Sequence, residues 1–192
     1  PKGGIIEGLH AYTSVLEIPG EVDLAIIVVN AKFVLDTIDQ CHEKGIKGLC
    51  IITAGFKETG AEGAEAEKQL LAKVREYGMR CVGPNCLGVV NTHPDIRMDG
   101  CFAESLPERG NIGFVSQSGA LGGGILNILK DLNLGFAQFI SIGNQADVNA
   151  ETALEYWENE ADVEQILLYM ESIQNPANFR KFASRISKKK PI

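Results

Sequence analysis

The chain has 192 residues, 45% of them hydrophobic and 22% charged, which suffices for an ordinary core in one large or two small domains without disulfide or metal staples. Eighteen Lys and Arg against 25 Asp and Glu give a formal net charge of −7, so the basic field used by phosphate-backbone binders is missing and nucleic acid is set aside as a partner. The longest apolar runs, such as residues 24–29, are far too short to span a bilayer, and the N-terminus lacks a signal-peptide pattern; a cytoplasmic protein without a membrane partner is the expectation.

Short β-branched runs alternate with stretches of helical period, the mark of βαβ units and a parallel sheet covered on both faces. Residues 24–29 read as a strand and 31–44 as a helix, with Val34, Leu35, Ile38, Cys41 and His42 on one stripe and Gly45 as its stop. A strand over 48–53 follows, then a helix over 64–77 with Ala66, Leu70, Leu71, Val74 and Tyr77 on its stripe, a strand over 79–82 and a short fourth strand over 87–91. Between 92 and 110 the periodicity lapses among His93-Pro94, Asp99-Gly100 and Pro107, which are turn and breaker signals. The alternation restarts with strands over 112–115, 136–142 and 164–170 and helices over 120–132, 150–157 and 176–187, the last opening on Pro176 with Asn175 as its cap. The expected division is a first domain over 1–95, a linker over 96–110 and a second domain over 111–192.

Neither end fits a complete unit. Pro1-Lys2-Gly3-Gly4 enters the pattern with no strand and phosphate-binding loop before it, and the alternation calls for a further strand after Pro191-Ile192. Both domains are expected to be truncated, and the chain to be a fragment of a longer protein. The five cysteines (Cys41, Cys50, Cys81, Cys86 and Cys101) form an odd set without a CxxC pair and read as reduced packing thiols, with no metal site.

Three segments could carry chemistry. Ser116-Gln117-Ser118-Gly119-Ala120 runs from a buried strand into a helix start, where free N–H groups beside two hydroxyls and a glycine suit a phosphate; an ordinary serine cap is the other reading. Asn85-Cys86 follows a strand end, as do Val29-Asn30-Ala31 and Thr53-Ala54-Gly55, and in open parallel sheets ligands lie beyond the carboxyl ends of strands. Together these outline one crevice, although each is also a plausible plain turn. Glu171 ends the apolar strand at the same sheet edge as Ser116-Gln117-Ser118 and is either a carboxylate that orients an imidazole or a solvated loop charge. His10, His42 and His93 form no ligand cluster.

Gly83-Pro84-Asn85-Cys86-Leu87-Gly88, Val115-Ser116-Gln117-Ser118-Gly119-Ala120-Leu121-Gly122, Ile52-Thr53-Ala54-Gly55-Phe56 and Ser141-Ile142-Gly143-Asn144 strongly resemble the NDP-forming acyl-CoA synthetases, in the family's order and across essentially the whole chain. The resemblance implies an α/β fold with two parallel-sheet domains, a CoA-binding Rossmann-like domain followed by a flavodoxin-like ligase domain. It implies an acid–CoA ligase that joins a small carboxylic acid to coenzyme A while a nucleoside triphosphate is cleaved to diphosphate and phosphate through a phosphohistidine. ATP or ADP and Mg would be held by an ATP-grasp domain or subunit elsewhere, and the assembly is expected to be oligomeric.

Carried over by residue, Val29, Asn30, Ala31, Thr53, Ala54, Gly55, Asn85 and Cys86 would line the CoA site. Ser116, Gln117, Ser118, Gly119 and Ala120 would hold phosphate, and Glu171 would steady the phosphohistidine. The histidine context of the family, His followed by Gly or Thr-Gly, is absent, so the isolated chain is expected to be inactive. Gly123 stands where the succinyl-CoA type places a tyrosine, which favours the acetyl or acyl branch. The alternative from another class is a CoA-sensing regulatory module of a protein lysine acetyltransferase, which the same tandem domains resemble; a plain dinucleotide-binding Rossmann domain is disfavoured by the flavodoxin-like second half.

Overall fold

The computed structural model describes residues 3–103 and 108–192. After a hairpin of β1 (Gly4–Ile6) and β2 (Leu9–Ala11), a parallel sheet is built from β3 (Leu24–Ile27), β4 (Gly48–Ile51) and β5 (Arg80–Val82) in that order. Helices α1 (Val34–Lys44) and α2 (Ala61–Glu76) cover one of its faces. The period of two sorts the residues of β4: Leu49 and Ile51 join the helix-side core with Ile38 and Leu70, whereas Cys50 between them joins a different cluster with Cys86 and Val89.

Helix α1 begins later than its periodicity suggests. Asn30 caps a 3-10 turn over Ala31–Phe33, its side chain accepting from the Lys32 N–H, and the α-helix proper follows. It ends as expected at Gly45, whose φ of 90° lets the main chain turn back and satisfy the last carbonyls.

The second sheet is mixed, with strand order β10, β8, β9, β6, β7. Its strands are β6 (Gly88–Asn91), β7 (Met98–Cys101), β8 (Arg109–Ser116), β9 (Phe136–Ser141) and β10 (Gln165–Tyr169). β8 is parallel to both β9 and β10, while β6 runs antiparallel to β9 and to β7. Two expectations are corrected here. The strand read as a fourth member of the first sheet is β6, which pairs with β9 in the second. The stretch read as a linker holds β7, the edge strand of a β6–β7 hairpin. Chain order fixes neither choice, since a strand pairs with whichever edge offers free N–H and C=O groups.

The C-terminal half of β8, from Gly113 to Ser116, is buried on both faces, and its side chains alternate between two cores. Phe114 packs with Phe136, Phe139 and Leu126 of α3 (Gly119–Asp131). Val115 packs with Leu154 and Trp157 of α4 (Ala150–Trp157) and Ile186 of α5 (Pro176–Ile186). Asn175 caps α5 by accepting from the Asn178 N–H, with Pro176 in its first turn. Trp157, the single tryptophan, is completely enclosed, and its indole N–H donates to Gln138 Oε1 at 2.7 Å. Among the described residues no helix is long and apolar enough to cross a membrane.

Helix α3 sits close to its sheet because Gly122 faces it. A Cβ there would lie 3.0 Å from the Phe139 ring and 3.1 Å from Ser116 Cβ, whereas a Cβ at Gly124 would meet nothing within 4 Å. Gly122→Ala is therefore expected to destabilise by about 1–3 kcal/mol through overpacking, and Gly124→Ala to stabilise by about 0.5–1 kcal/mol by relieving the glycine entropy cost in a helix. Denaturant midpoints at constant m would show the two shifts with opposite signs.

Candidate active site

The two sheets are joined by main chain. Asn144 N–H donates to Pro84 O at 2.9 Å, Ala146 N–H to Gly83 O at 3.1 Å and Val148 N–H to Cys81 O at 3.1 Å, so residues 143–148 lie along residues 81–85. The Asp147 carboxylate fastens one end by accepting from Cys81 N–H and from Arg80 Nε. Glycine permits this approach at position 143 and, at position 83, a second one to β4 of the first sheet. A Cβ at Gly143, where φ is +50°, would fall 2.3 Å from Asn85 O, and one at Gly83, where φ is +95°, would fall 2.4 Å from Ile51 O.

Above this seam lies a cavity of about 610 Å³. The Asn85-Cys86-Leu87 turn forms one wall, the start of α3 at Ser118, Gly119 and Ala120 another, and Glu171 closes the side beyond β10. Ser118 caps α3 by accepting from the Leu121 N–H at 3.3 Å. The first turn leaves the N–H groups of Gly119 and Ala120 without intrahelical acceptors, with the positive end of the helix dipole behind them. An added Cβ at Gly119 would meet Leu87 at 3.6 Å, an ordinary contact, so the protein's own packing does not demand glycine there.

Two of the residues expected to hold phosphate have other work. Ser116 is fully buried at the end of β8 and does not line the cavity; its hydroxyl donates to Ser118 O at 2.6 Å and closes the turn. Gln117 lines the cavity but its amide is engaged: Oε1 accepts from Glu171 N–H at 2.8 Å and Ser172 N–H at 3.0 Å, and Nε2 donates to Ser172 Oγ. Gln117 thus ties the end of β8 to the loop after β10 and sets the height of Glu171 on the wall.

The floor carries a polar network that the sequence reading did not pick out. Asn144 Nδ2 donates to Glu67 Oε2 at 2.8 Å and to Glu58 Oε2 at 2.5 Å, and Asn144 Oδ1 accepts from Asn85 Nδ2 at 3.3 Å. Lys57 Nζ lies 3.4 Å from Glu67 Oε1 and also reaches the Asn144 carbonyl. Glu58 Oε1 accepts from the N–H groups of Gly55 and Phe56. Burial works against ionisation of Glu58, but the Asn144 amide and these N–H donors outweigh it and hold the carboxyl below its ordinary value. The available signal was Glu67, a charge within the apolar stripe of α2 between Gly63 and Leu70, which is tolerable only with partners in place.

The first-sheet residues expected to line a CoA crevice lie at the carboxyl ends of β3 and β4, as the strand-end argument requires, but Val29, Asn30, Ala31, Thr53, Ala54 and Gly55 do not line the large cavity; Asn85 and Cys86 do. Thr53 Oγ1 donates to Val29 O at 2.7 Å, and Thr53 O accepts from Asn85 N–H. A Cβ at Gly55 would press to 3.1 Å from Ala31 Cβ, and Val28, just past the end of β3, is 70% exposed. None of His10, His42 and His93 lines the cavity; His42 stacks on Tyr77 and His93 faces Asp95 and Asp162.

Comparison with known proteins matches residues 1–92 to a CoA binding domain and residues 109–192 to a succinyl-CoA ligase like flavodoxin domain. The α subunit of acetate–CoA ligase [ADP-forming] II of Pyrococcus furiosus is 48% identical over 97% of this chain and 40% of that subunit. The chain belongs to the NDP-forming acyl-CoA synthetase family. Another member, acetate–CoA ligase [ADP-forming] of Methanocaldococcus jannaschii, is 42% identical over the whole chain and 27% of its own length. A crystal structure from Pyrococcus horikoshii OT3 superposes with a TM-score of 0.93 at 48% identity over 97% of this chain and 42% of that one. The acetyl-coenzyme A synthetase 1 of Ca. Korarchaeum cryptofilum in complex with phosphate and ADP gives 0.90 at 36% identity, covering 100% and 41%. The chain therefore spans less than half the length of these family members.

The network makes a pH prediction. Because the Glu58 carboxyl is held below its ordinary value of 4.5, its contribution to stability is complete above that value and is lost as pH falls through the lower folded-state value. In Glu58→Gln the acid limb of the stability profile is expected to flatten, measured as denaturant midpoint from pH 7 downward. A limb of unchanged steepness assigns the acid loss to other carboxylates.

Proposed function

We propose that this chain supplies the CoA-binding and phosphate-handling scaffold of an ADP-forming ligase that makes acetyl-CoA or another small acyl-CoA from the free acid. The carrying observation is the cavity in which the N-terminus of α3, from one sheet, faces the Asn85-Cys86 turn, from the other. Its setting is a chain 36% identical to a synthetase whose structure holds phosphate and ADP. In this reading the Gly119 and Ala120 N–H groups and the Ser118 hydroxyl bind the phosphoryl group of an acyl phosphate or of orthophosphate. Coenzyme A lies along the carboxyl ends of β3 and β4, where Val29, Asn30, Ala31, Thr53, Ala54 and Gly55 flank it, and supplies the thiol that takes the acyl group.

Glu171 is exposed on the cavity wall and held there by Gln117. From that position its carboxylate accepts a hydrogen bond from an imidazole delivered by another part of the enzyme, and so orients the phosphohistidine. The ATP-grasp portion, with its nucleotide and Mg, is the implied partner, in a cytoplasmic oligomer. The acetyl or acyl branch is favoured over the succinyl type by Gly123, the middle residue of a triple glycine on α3, where an added Cβ would lie 3.5 Å from Leu87.

Assembled with the ATP-grasp portion and supplied with acetate, CoA and ATP, the protein is expected to yield acyl-CoA, ADP and orthophosphate; AMP and pyrophosphate as products would sink the reading. The chain alone is expected to show no turnover and to take no label from acetyl phosphate, since no histidine reaches the cavity; label at His10, His42 or His93 overturns this. Ser118→Ala should weaken phosphate binding by about 1 kcal/mol in calorimetric titration, the net worth of one hydroxyl contact when main-chain donors supply the rest.

A further inference from the structure

The small core between the two sheets holds a thiol pair that the proposed ligase chemistry does not use. Cys50, in β4 of the first sheet, and Cys86, in the turn that leads into β6 of the second, place their sulfurs 3.9 Å apart. With Val89 they form the buried cluster at which the sheets meet, flanked by Val82 and Ile140. The Cys86 thiol donates to Ile51 O at 3.3 Å, which leaves the Cys50 thiol as donor to the Cys86 sulfur. Their access differs. Cys50 is fully enclosed, whereas Cys86 forms part of the wall of the 610 Å³ cavity. The contact with Cys86, together with burial, holds the Cys50 thiol protonated well above its usual range.

We propose that Cys50 and Cys86 are a peroxide-sensitive modification site, in which Cys86 is oxidised from the cavity and Cys50 resolves it into a disulfide that fastens β4 to the turn between the sheets. The Cys86 thiolate attacks one oxygen of hydrogen peroxide, the O–O bond breaks, and the departing hydroxide leaves as water with the proton that the thiol gave up. The Cys50 sulfur then attacks Cys86 Sγ, the S–O bond breaks, and the Cys50 proton departs with that oxygen as a second water. Two thiols lose two electrons and one peroxide gains them. The sulfurs must close by about 2 Å to reach disulfide distance, and only the Cys86 side lies on an open turn.

This order of reaction is the reverse of what exposure predicts. Cys101, on β7, is the more accessible thiol and is the first to be lost in indiscriminate oxidation, while Cys41 and Cys81 are buried. The native protein is treated with hydrogen peroxide, quenched at intervals by alkylation in denaturant, and mapped by peptide mass. The expected result is a fall in free thiols from the five of the sequence to three, a mass lower by two hydrogen atoms, a Cys50–Cys86 linked peptide, and full recovery with a thiol reductant. In Cys50→Ala, Cys86 is expected to stop at the sulfenic acid and to be trapped by dimedone. Should that variant fail to fold, the wild-type peptide map alone decides. Five persistent thiols under conditions that oxidise the urea-unfolded chain, first loss at Cys101, or a bridge between other cysteines overturns the proposal. None of these readouts depends on ligase activity.

Discussion

The main-chain seam between residues 81–85 and 143–148 is the constraint on which the site depends. Its hydrogen bonds require the two backbones to approach so closely that a single Cβ at Gly143 would stand 2.3 Å from two carbonyl oxygens. No side-chain rearrangement relieves a collision with main chain, so the two backbones themselves would have to separate. The walls of the cavity come from opposite sides of this join, Asn85 and Cys86 from one and the α3 start from the other, so their spacing is set by the seam and not by the loops themselves. Leu87 N–H adds a further tie by donating to Ser141 Oγ at 2.9 Å.

The polar network beneath the cavity serves the same end in a different manner. Glu67 is almost fully enclosed, and a carboxylate there is unfavourable unless Lys57 and Asn144 reach it. Asn144 belongs to the second sheet's loop and Glu58 and Glu67 to the first domain, so satisfying the charge requires the two domains to be docked in one register. A well-packed apolar floor would give comparable stability but would tolerate sliding. Here register carries the consequence, because the same asparagine accepts from Asn85, a residue of the cavity wall.

Much of the fold was legible because its signals are local. The alternation of strand and helix, the stop at Gly45, the cap at Asn175 and the placing of Asn85, Ser118 and Glu171 beyond strand ends all follow from residues within one element and its flanks. What escaped lies in choices between distant partners. Residues 88–91 have strand character, yet nothing within them says that they pair antiparallel with β9 instead of extending the first sheet. Ser116 and Ser118 look alike in sequence, and only burial separates a hydroxyl spent on a turn from one that caps a helix at an open cavity. The link from Glu58 to Asn144 spans 86 positions, beyond any spacing argument, and its one local trace was a glutamate on an apolar stripe.

The enclosure of Trp157 has a practical consequence. The only indole of the chain sits wholly within the second domain, in van der Waals contact with the core under α4 and α5 and hydrogen-bonded to Gln138 of β9. The first domain has tyrosines but no tryptophan. Intrinsic emission excited at the red edge of the indole band therefore follows the flavodoxin-like half alone, while far-ultraviolet circular dichroism follows both. Whether the two halves lose structure together, as the shared seam implies, or one after the other is thus written in the coincidence of two optical signals from the unmodified protein.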